Sequence, residues 1–150
     1  MSVSTARNLL EAVSHFHKQL GLFCEKNARA NKDERVRLLL DYIGRHEYHM
    51  AEALENYEEQ ARVTVLNTWF NNIPPKLLEG PDKNDLTPDS TIDDVIAWAI
   101  RMDDSVIELY RTMAAEAGTA EVKKVVNGLL AMEEREKLKT VRSALRINDI

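Results

Sequence analysis

Four ionisable side chains interrupt otherwise apolar helical stripes in this 150-residue chain. Histidine and carboxylate side chains are the types that commonly bind divalent metal ions in proteins. Each lies near the middle of a segment whose apolar residues recur every three or four positions. The four are His17, Glu47, Asp103 and Glu134, and Lys137 follows Glu134 by three residues. Helix midpoints fall at one level of an up-and-down bundle, so we expect all five side chains to meet near its axis.

Burial limits what this predicted polar layer can be. A buried charge without a partner costs several kcal/mol, so the groups must pair with each other, bind a cation, or be more exposed than the pattern indicates. The three carboxylates face the Lys137 ammonium and an imidazolium at His17, so the layer could be nearly neutral without metal. A register error of one residue in the last helix would exchange Glu133 for Glu134.

Four helical segments are predicted to position the layer. Thr91 can cap the third of them, with acidic residues in its first turn, and Gly118 suits a left-handed turn after it. Prolines and glycines cluster only between the second and third segments. We therefore predict an all-α, single-domain antiparallel four-helix bundle over residues 1–150, with helices over about 4–30, 33–60, 91–118 and 119–146 and a long crossover over about 61–91.

The beginning of the crossover, residues 61–70, is rich in β-branched side chains. No second strand is evident to pair with it, so we interpret it as bent or frayed helix that continues the second segment. Trp69 and Phe70 are expected to pack over a bundle end. Together with Trp98, these aromatic residues could instead form an exposed patch for self-association.

Composition excludes several classes of function. The net charge is −5 with 30% charged residues, which leaves no broad basic face for nucleic acid. We expect no signal peptide and no membrane span, because no apolar run approaches ~18 residues. The single cysteine, Cys24, cannot form an internal disulfide and is expected to be a buried, inert thiol. A cytoplasmic protein is the expectation.

Four sequence stretches resemble the ferritin-like superfamily, in particular its rubrerythrin-like branch. "SHFHKQLGLFCEKNA" is similar to the first helix of that family, "IGRHEYHMAEAL" to the second, "WAIRMDDSVIELYRTMA" to the third and "LLAMEEREKLKTV" to the fourth. The similarity covers about residues 5–60 and 91–146. It implies the same bundle as the apolar stripes and a di-iron motif of Glu, Glu-x-x-His, Glu and Glu-x-x-His.

The resemblance also implies which residues stand at the metal-ligand positions, and two of them do not fit. Met50 and Lys137 occupy the positions where the family has histidine. A thioether is a poor ligand for hard cations, and a lysine must lose its proton before it can coordinate. We therefore expect a degenerate di-iron site with no metal. The alternatives are one iron, manganese or zinc ion with the ligands His17, Glu47, Asp103 and Glu134, or two ions.

Three functions follow as hypotheses. The favoured one is a non-enzymatic structural or binding bundle with a central salt-bridge layer, which we expect to form a homodimer or a higher homo-oligomer. A metal-binding oxidase, peroxidase or metal carrier is the alternative, and a small-molecule binding module is the third. No motif for nucleophilic catalysis is present, so no catalytic residue is assigned.

The remaining histidines lie off the apolar stripes. His15, His46 and His49 are expected to face solvent or a neighbouring chain. A His-x-x-His surface site at His46 and His49 is a less favoured alternative.

Overall fold

The computed structural model describes residues 2–74 and 76–149. Within them the chain forms four long helices, one short helix and a two-stranded antiparallel sheet. In chain order the elements are β1 (Ser2–Thr5), α1 (Ala6–Ala30), α2 (Glu34–Gln60), α3 (Val63–Leu66), β2 (Trp69–Ile73), α4 (Ile92–Glu116) and α5 (Ala120–Asn148). None of the described helices is long and apolar enough to cross a membrane.

The long helices begin where their capping residues stand. Thr5, Asp33 and Thr119 each accept a hydrogen bond from a backbone N–H of the first turn. Thr91 does the same for α4, and the Asp94 carboxylate accepts the N–H of Thr91 in return, which completes a capping box. These caps place the helix starts within about two residues of the predicted ones, and the predicted helical hairpins, α1 with α2 and α4 with α5, are confirmed.

Close packing of α1 on α2 sets the height at which their polar residues meet. A Cβ added to Gly21 would lie 2.8 Å from the ring of Tyr48, and one added to Gly44 would lie 3.2 Å from Cβ of Cys24. Glycine at both positions lets the two backbones approach closely. The approach occurs about one helical turn from the middle of each helix, which brings those midpoints within hydrogen-bond reach.

The structure corrects the prediction for residues 61–70. They do not continue α2 as bent helix, because α2 ends at Gln60, α3 forms a single turn, and β2 begins at Trp69. Its partner is β1, at the start of the chain, with Ser4 opposite Phe70 and Thr5 opposite Trp69. The expectation that no partner strand exists was therefore wrong, because the pairing segment is remote in sequence.

The three aromatic residues considered for an exposed patch separate in the structure. Phe70 and Trp98 are buried in the core, whereas Trp69 remains 64% exposed. Gly118 also differs from its prediction, since no glycine in the described ranges has a positive φ. The link after α4 is extended at Ala117 instead.

Candidate functional site

A buried histidine lies between two carboxylates at the centre of the bundle. Nδ1 of His17, on α1, donates to Oε2 of Glu47 on α2, and Nε2 donates to Oε1 of Glu133 on α5 at 2.6 Å. Asp103, on α4, is buried close enough for its charge to interact with all three. We call His17, Glu47, Asp103 and Glu133 the central cluster. Each of the four long helices contributes one member, as the sequence predicted.

Protonation of His17 follows from its partners. Burial lowers the pKa of the imidazole, but the charges of Glu47 and Glu133 and the hydrogen bonds with both raise it, and the net pKa lies well above 6.5. The raised pKa and the two carboxylate partners together favour the doubly protonated ring, in which both nitrogens donate. His17 is therefore an imidazolium that neutralises part of the negative charge of the cluster.

The other carboxyl groups respond to the same crowding. Burial raises the pKa of Asp103 well above its usual value, and the charges of Glu47 and Glu133 raise it further. Burial also raises the pKa of Glu133, although its contact with His17 opposes that rise. One imidazolium thus faces three carboxyl groups, and this excess of negative charge favours the neutral form of Asp103.

The structure corrects the position of Glu134. Its side chain is exposed on the outside of the bundle and lies 3.9 Å from Arg111, whereas Glu133 is fully buried. Lys137 is also outside the cluster, because its ammonium pairs with the carboxylate of Asp104 at 2.6 Å. We call Asp104, Arg111, Glu134 and Lys137 the rim cluster. Its members line a surface groove between α4 and α5.

A difference of one residue in the α5 stripe explains the error. The predicted stripe ran from Val126 through Leu130 to Glu134, in steps of four, whereas the buried face runs through Leu129 to Glu133, in steps of three and four. Since a helix has 3.6 residues per turn, repeated steps of four drift off one face. Later in α5 the buried residues are Thr140 and Ala144, which are polar or small. The larger apolar residues Val141 and Leu145 follow each of them by one position and favoured the wrong register.

The corrected register also changes the residue that follows the glutamate by three positions. It is Glu136, and Lys137 does not occupy that position. The Glu136 carboxylate accepts from Nδ1 of His46 at 3.1 Å and pairs with the Lys139 ammonium at 3.2 Å. Met50, the other residue at an expected histidine position, is buried on α2 as predicted.

Two buried oxygens in or beside the central cluster have no hydrogen-bond partner among the described residues. Within the described ranges, Oε2 of Glu133 and the hydroxyl of Tyr110 make no hydrogen bond. Burial raises the pKa of Tyr110 well above its usual value, and the charge of Glu133 adds to the rise. A buried polar atom without a hydrogen-bond partner is rare in folded proteins, and a bound water or ion is one explanation for it.

His15, His49 and Cys24 lie where the sequence placed them, whereas His46, expected to face solvent or a neighbouring chain, pairs with Glu136 on α5. His15 and His49 are exposed, and His46 is half-buried against Tyr42. Cys24 is a buried free thiol, and burial raises its pKa well above the usual value, so little thiolate forms.

Comparison with solved structures assigns the fold. The sequence matches no protein family, and it matches no curated protein. A protein from Thermotoga maritima, provisionally described as a ferritin-like diiron-carboxylate protein, has a similar structure: the TM-score is 0.67 over 96% of this chain and 97% of that chain. The two sequences are 15% identical. The chain therefore has an all-α, ferritin-like bundle fold, as the sequence predicted.

The central cluster does not fit a pair of iron ions. Coordination by His17 would require the ring to lose a proton and one of its hydrogen bonds to Glu47 and Glu133. Met50 offers only a thioether, and the Glu136 carboxylate is engaged by His46 and Lys139. Among the residues that the structure describes, no group of three or more His, Cys, Asp or Glu side chains is arranged to hold a metal ion.

Proposed function

We propose that this chain is a degenerate member of the rubrerythrin-like branch, in which an imidazolium has replaced the metal ions. The protein then serves as a non-enzymatic structural or binding bundle. The observation that supports this proposal is the placement of His17 between Glu47 and Glu133, with both ring nitrogens donating. His17 provides the positive charge that a carboxylate-lined core needs, so the fold is stable without a cofactor.

Elemental analysis after anaerobic addition of ferrous and manganous ions tests the proposal. The natural protein is expected to retain no iron or manganese after desalting. A triple variant, His17→Glu, Met50→His and Glu136→His, restores the ligand types of the family at the corrected positions and is expected to retain iron. Near-stoichiometric iron or manganese in the natural protein, lost in Glu47→Gln, would overturn the proposal.

One observation favours a second candidate, a site for a single iron, manganese or zinc ion. Oε2 of Glu133 is buried without a partner, and Asp103 and Glu47 lie close enough to interact with that carboxylate. In this reading the protein is a metal carrier or an oxidase with an atypical site. It requires His17 to lose a proton, so metal uptake would release protons and rise steeply with pH.

We also propose that the bundle forms a homodimer or a higher homo-oligomer. The support is the set of large apolar side chains that remain exposed on the described part of the chain, among them Leu22, Leu38, Trp69 and Leu145. Sedimentation equilibrium of the natural protein tests this, and a monomer at micromolar concentration would refute it.

A further inference from the structure

A second pair of histidines lies on the surface of α2, away from the central cluster. The rings of His46 and His49 have centroids 6.2 Å apart and planes inclined by 31°. Residues three positions apart are neighbours on a helix surface, so both imidazoles can reach one point in solvent. They line a surface depression together with Tyr42 and Arg45.

His46 is already held in a fixed orientation. Its Nδ1 donates to Oε2 of Glu136 at 3.1 Å, and its ring packs on Tyr42 with a centroid distance of 4.3 Å. The hydrogen bonds of the described residues leave Nε2 of His46 without a protein partner. A histidine whose one nitrogen donates to a carboxylate and whose other nitrogen is free is the arrangement found around protein-bound metals.

Glu136 is itself fixed in place. Its Oε1 accepts from the Lys139 ammonium at 3.2 Å, while Oε2 accepts from His46, so each carboxylate oxygen has one partner. This second contact keeps the carboxylate from turning away from His46. A neutral His46 that donates from Nδ1 to Glu136 keeps its lone pair on Nε2.

We propose that His46 and His49 bind one zinc ion at the surface, with Glu136 as the residue that positions His46. Imidazole is a ligand that suits zinc, and water completes the tetrahedral shell. Zinc–nitrogen distances in proteins are about 2.0–2.1 Å, so binding of one ion by both rings requires the exposed His49 side chain to rotate. This inference goes beyond the proposed function, because the central cluster contributes no ligand to it.

Titration calorimetry of tag-free protein with zinc chloride, in a weakly coordinating buffer at neutral pH, tests the site. We expect one zinc ion per chain. His46→Asn and His49→Asn should each raise the Kd at least tenfold, while His15→Asn, at an exposed position on α1, leaves it unchanged.

The positioning role of Glu136 has its own controls. Glu136→Gln should raise the Kd by about tenfold, as loss of a carboxylate partner does at other histidine sites. Glu136→Asp should retain most of the affinity, and Glu134→Gln, two residues away on α5, should have no effect. All variants should keep the unfolding midpoint of the metal-free protein, so that loss of zinc is not loss of fold.

The outcomes separate the surface site from the central cluster. Zinc binding that survives Glu47→Gln and is lost in the His46→Asn, His49→Asn double variant supports the surface site. Zinc binding that survives in the double variant and is lost in Glu47→Gln overturns both the surface site and the metal-free core. Absence of zinc binding at millimolar concentration overturns the surface site alone.

Discussion

The central cluster and the rim cluster are built from neighbouring residues. Asp103 and Asp104 are consecutive on α4, and Glu133 and Glu134 are consecutive on α5. The first of each pair is buried at the bundle axis, and the second lies in an exposed ion pair with a lysine or an arginine. Successive residues on a helix point about 100° apart, so the same residue types occupy opposite environments.

This contrast shows that burial, more than residue type, decides what each carboxylate does. In the central cluster, burial raises the pKa of Asp103 and of Glu133, while burial lowers the pKa of His17 and the carboxylates Glu47 and Glu133 raise it. An exposed ion pair contributes about 0–1 kcal/mol to stability, whereas removing one partner of a buried pair costs about 3–5 kcal/mol. Matched substitutions at the two clusters can therefore test the account.

The largest expected effect is the loss of the imidazolium. His17→Gln leaves Glu47 and Glu133 buried without their counter-charge, so we expect the free energy of unfolding to fall by about 3–5 kcal/mol. Urea denaturation at neutral pH measures it. His15→Gln, on the exposed side of α1, should change stability by less than about 0.5 kcal/mol. Equal effects of the two variants would show that His17 is not the cation that the core requires.

A smaller loss is expected for the buried glutamate on α5. Glu133→Gln replaces an ionic hydrogen bond to Nε2 of His17 by a neutral one, while Glu47 still holds Nδ1. We expect a loss of about 1.5–3 kcal/mol, measured by the same denaturation. Glu134→Gln should cost less than about 0.5 kcal/mol. A larger loss of stability for Glu134→Gln than for Glu133→Gln would show that Glu134 is the buried residue and would contradict the register of α5.

The pH dependence of stability has the same sign for the three groups of the central cluster whose pKa values are raised: His17, Asp103 and Glu133. The folded protein holds protons on His17, Asp103 and Glu133 at pH values where the unfolded chain releases them, because each folded pKa is raised. The contribution of His17 is complete below about pH 6.5 and declines towards its folded pKa, by up to about 1.4 kcal/mol per pH unit. The carboxyl groups add a decline that begins near pH 4.

Thermal unfolding from pH 6.5 to pH 8.5 therefore gives a falling stability, by about 1–2 kcal/mol. His15→Gln should keep this slope, and His17→Gln should reduce it. A stability that rises over the same range would mean that the cluster binds fewer protons when folded, which the account forbids.

The smallest effect distinguishes the two aspartates by its sign. Asp103→Asn removes a carboxyl group whose raised pKa makes folding at pH 7 less favourable. We therefore expect the free energy of unfolding to rise by about 1 kcal/mol at pH 7 or to stay the same. Asp104→Asn removes the partner of Lys137 and should cost up to about 1 kcal/mol. Denaturation of both variants in one buffer decides it, and a large loss for Asp103→Asn would show that its ionised form supports the core.

The sequence predicted the parts of the fold that local signals determine. The four long helices, the capping residue Thr91, and the buried positions of His17, Glu47 and Asp103 follow from apolar spacing and from cap chemistry. The choice between Glu133 and Glu134 could not be predicted from spacing, because Leu129 and Leu130 are equally apolar and spacings of three or four both fit a helix.

Other features depend on contacts that a local pattern cannot reveal. The β-branched residues before Trp69 form the single turn of α3, and the strand that follows pairs with a segment at the start of the chain. The ion pair of His46 with Glu136 joins α2 to α5 across 90 positions of sequence. Such contacts are set by the packing of the bundle, and so they appear only once the fold is assembled.

Nitrogen-15 NMR of the His17 ring at pH 7.5, assigned by comparison with His17→Gln, tests the central claim most directly. The account predicts an imidazolium, with protons on both Nδ1 and Nε2 of His17, and His17 signals that do not change when ferrous or zinc ions are added. A neutral ring with one unprotonated nitrogen, or a His17 signal that shifts or broadens on metal addition, would contradict it.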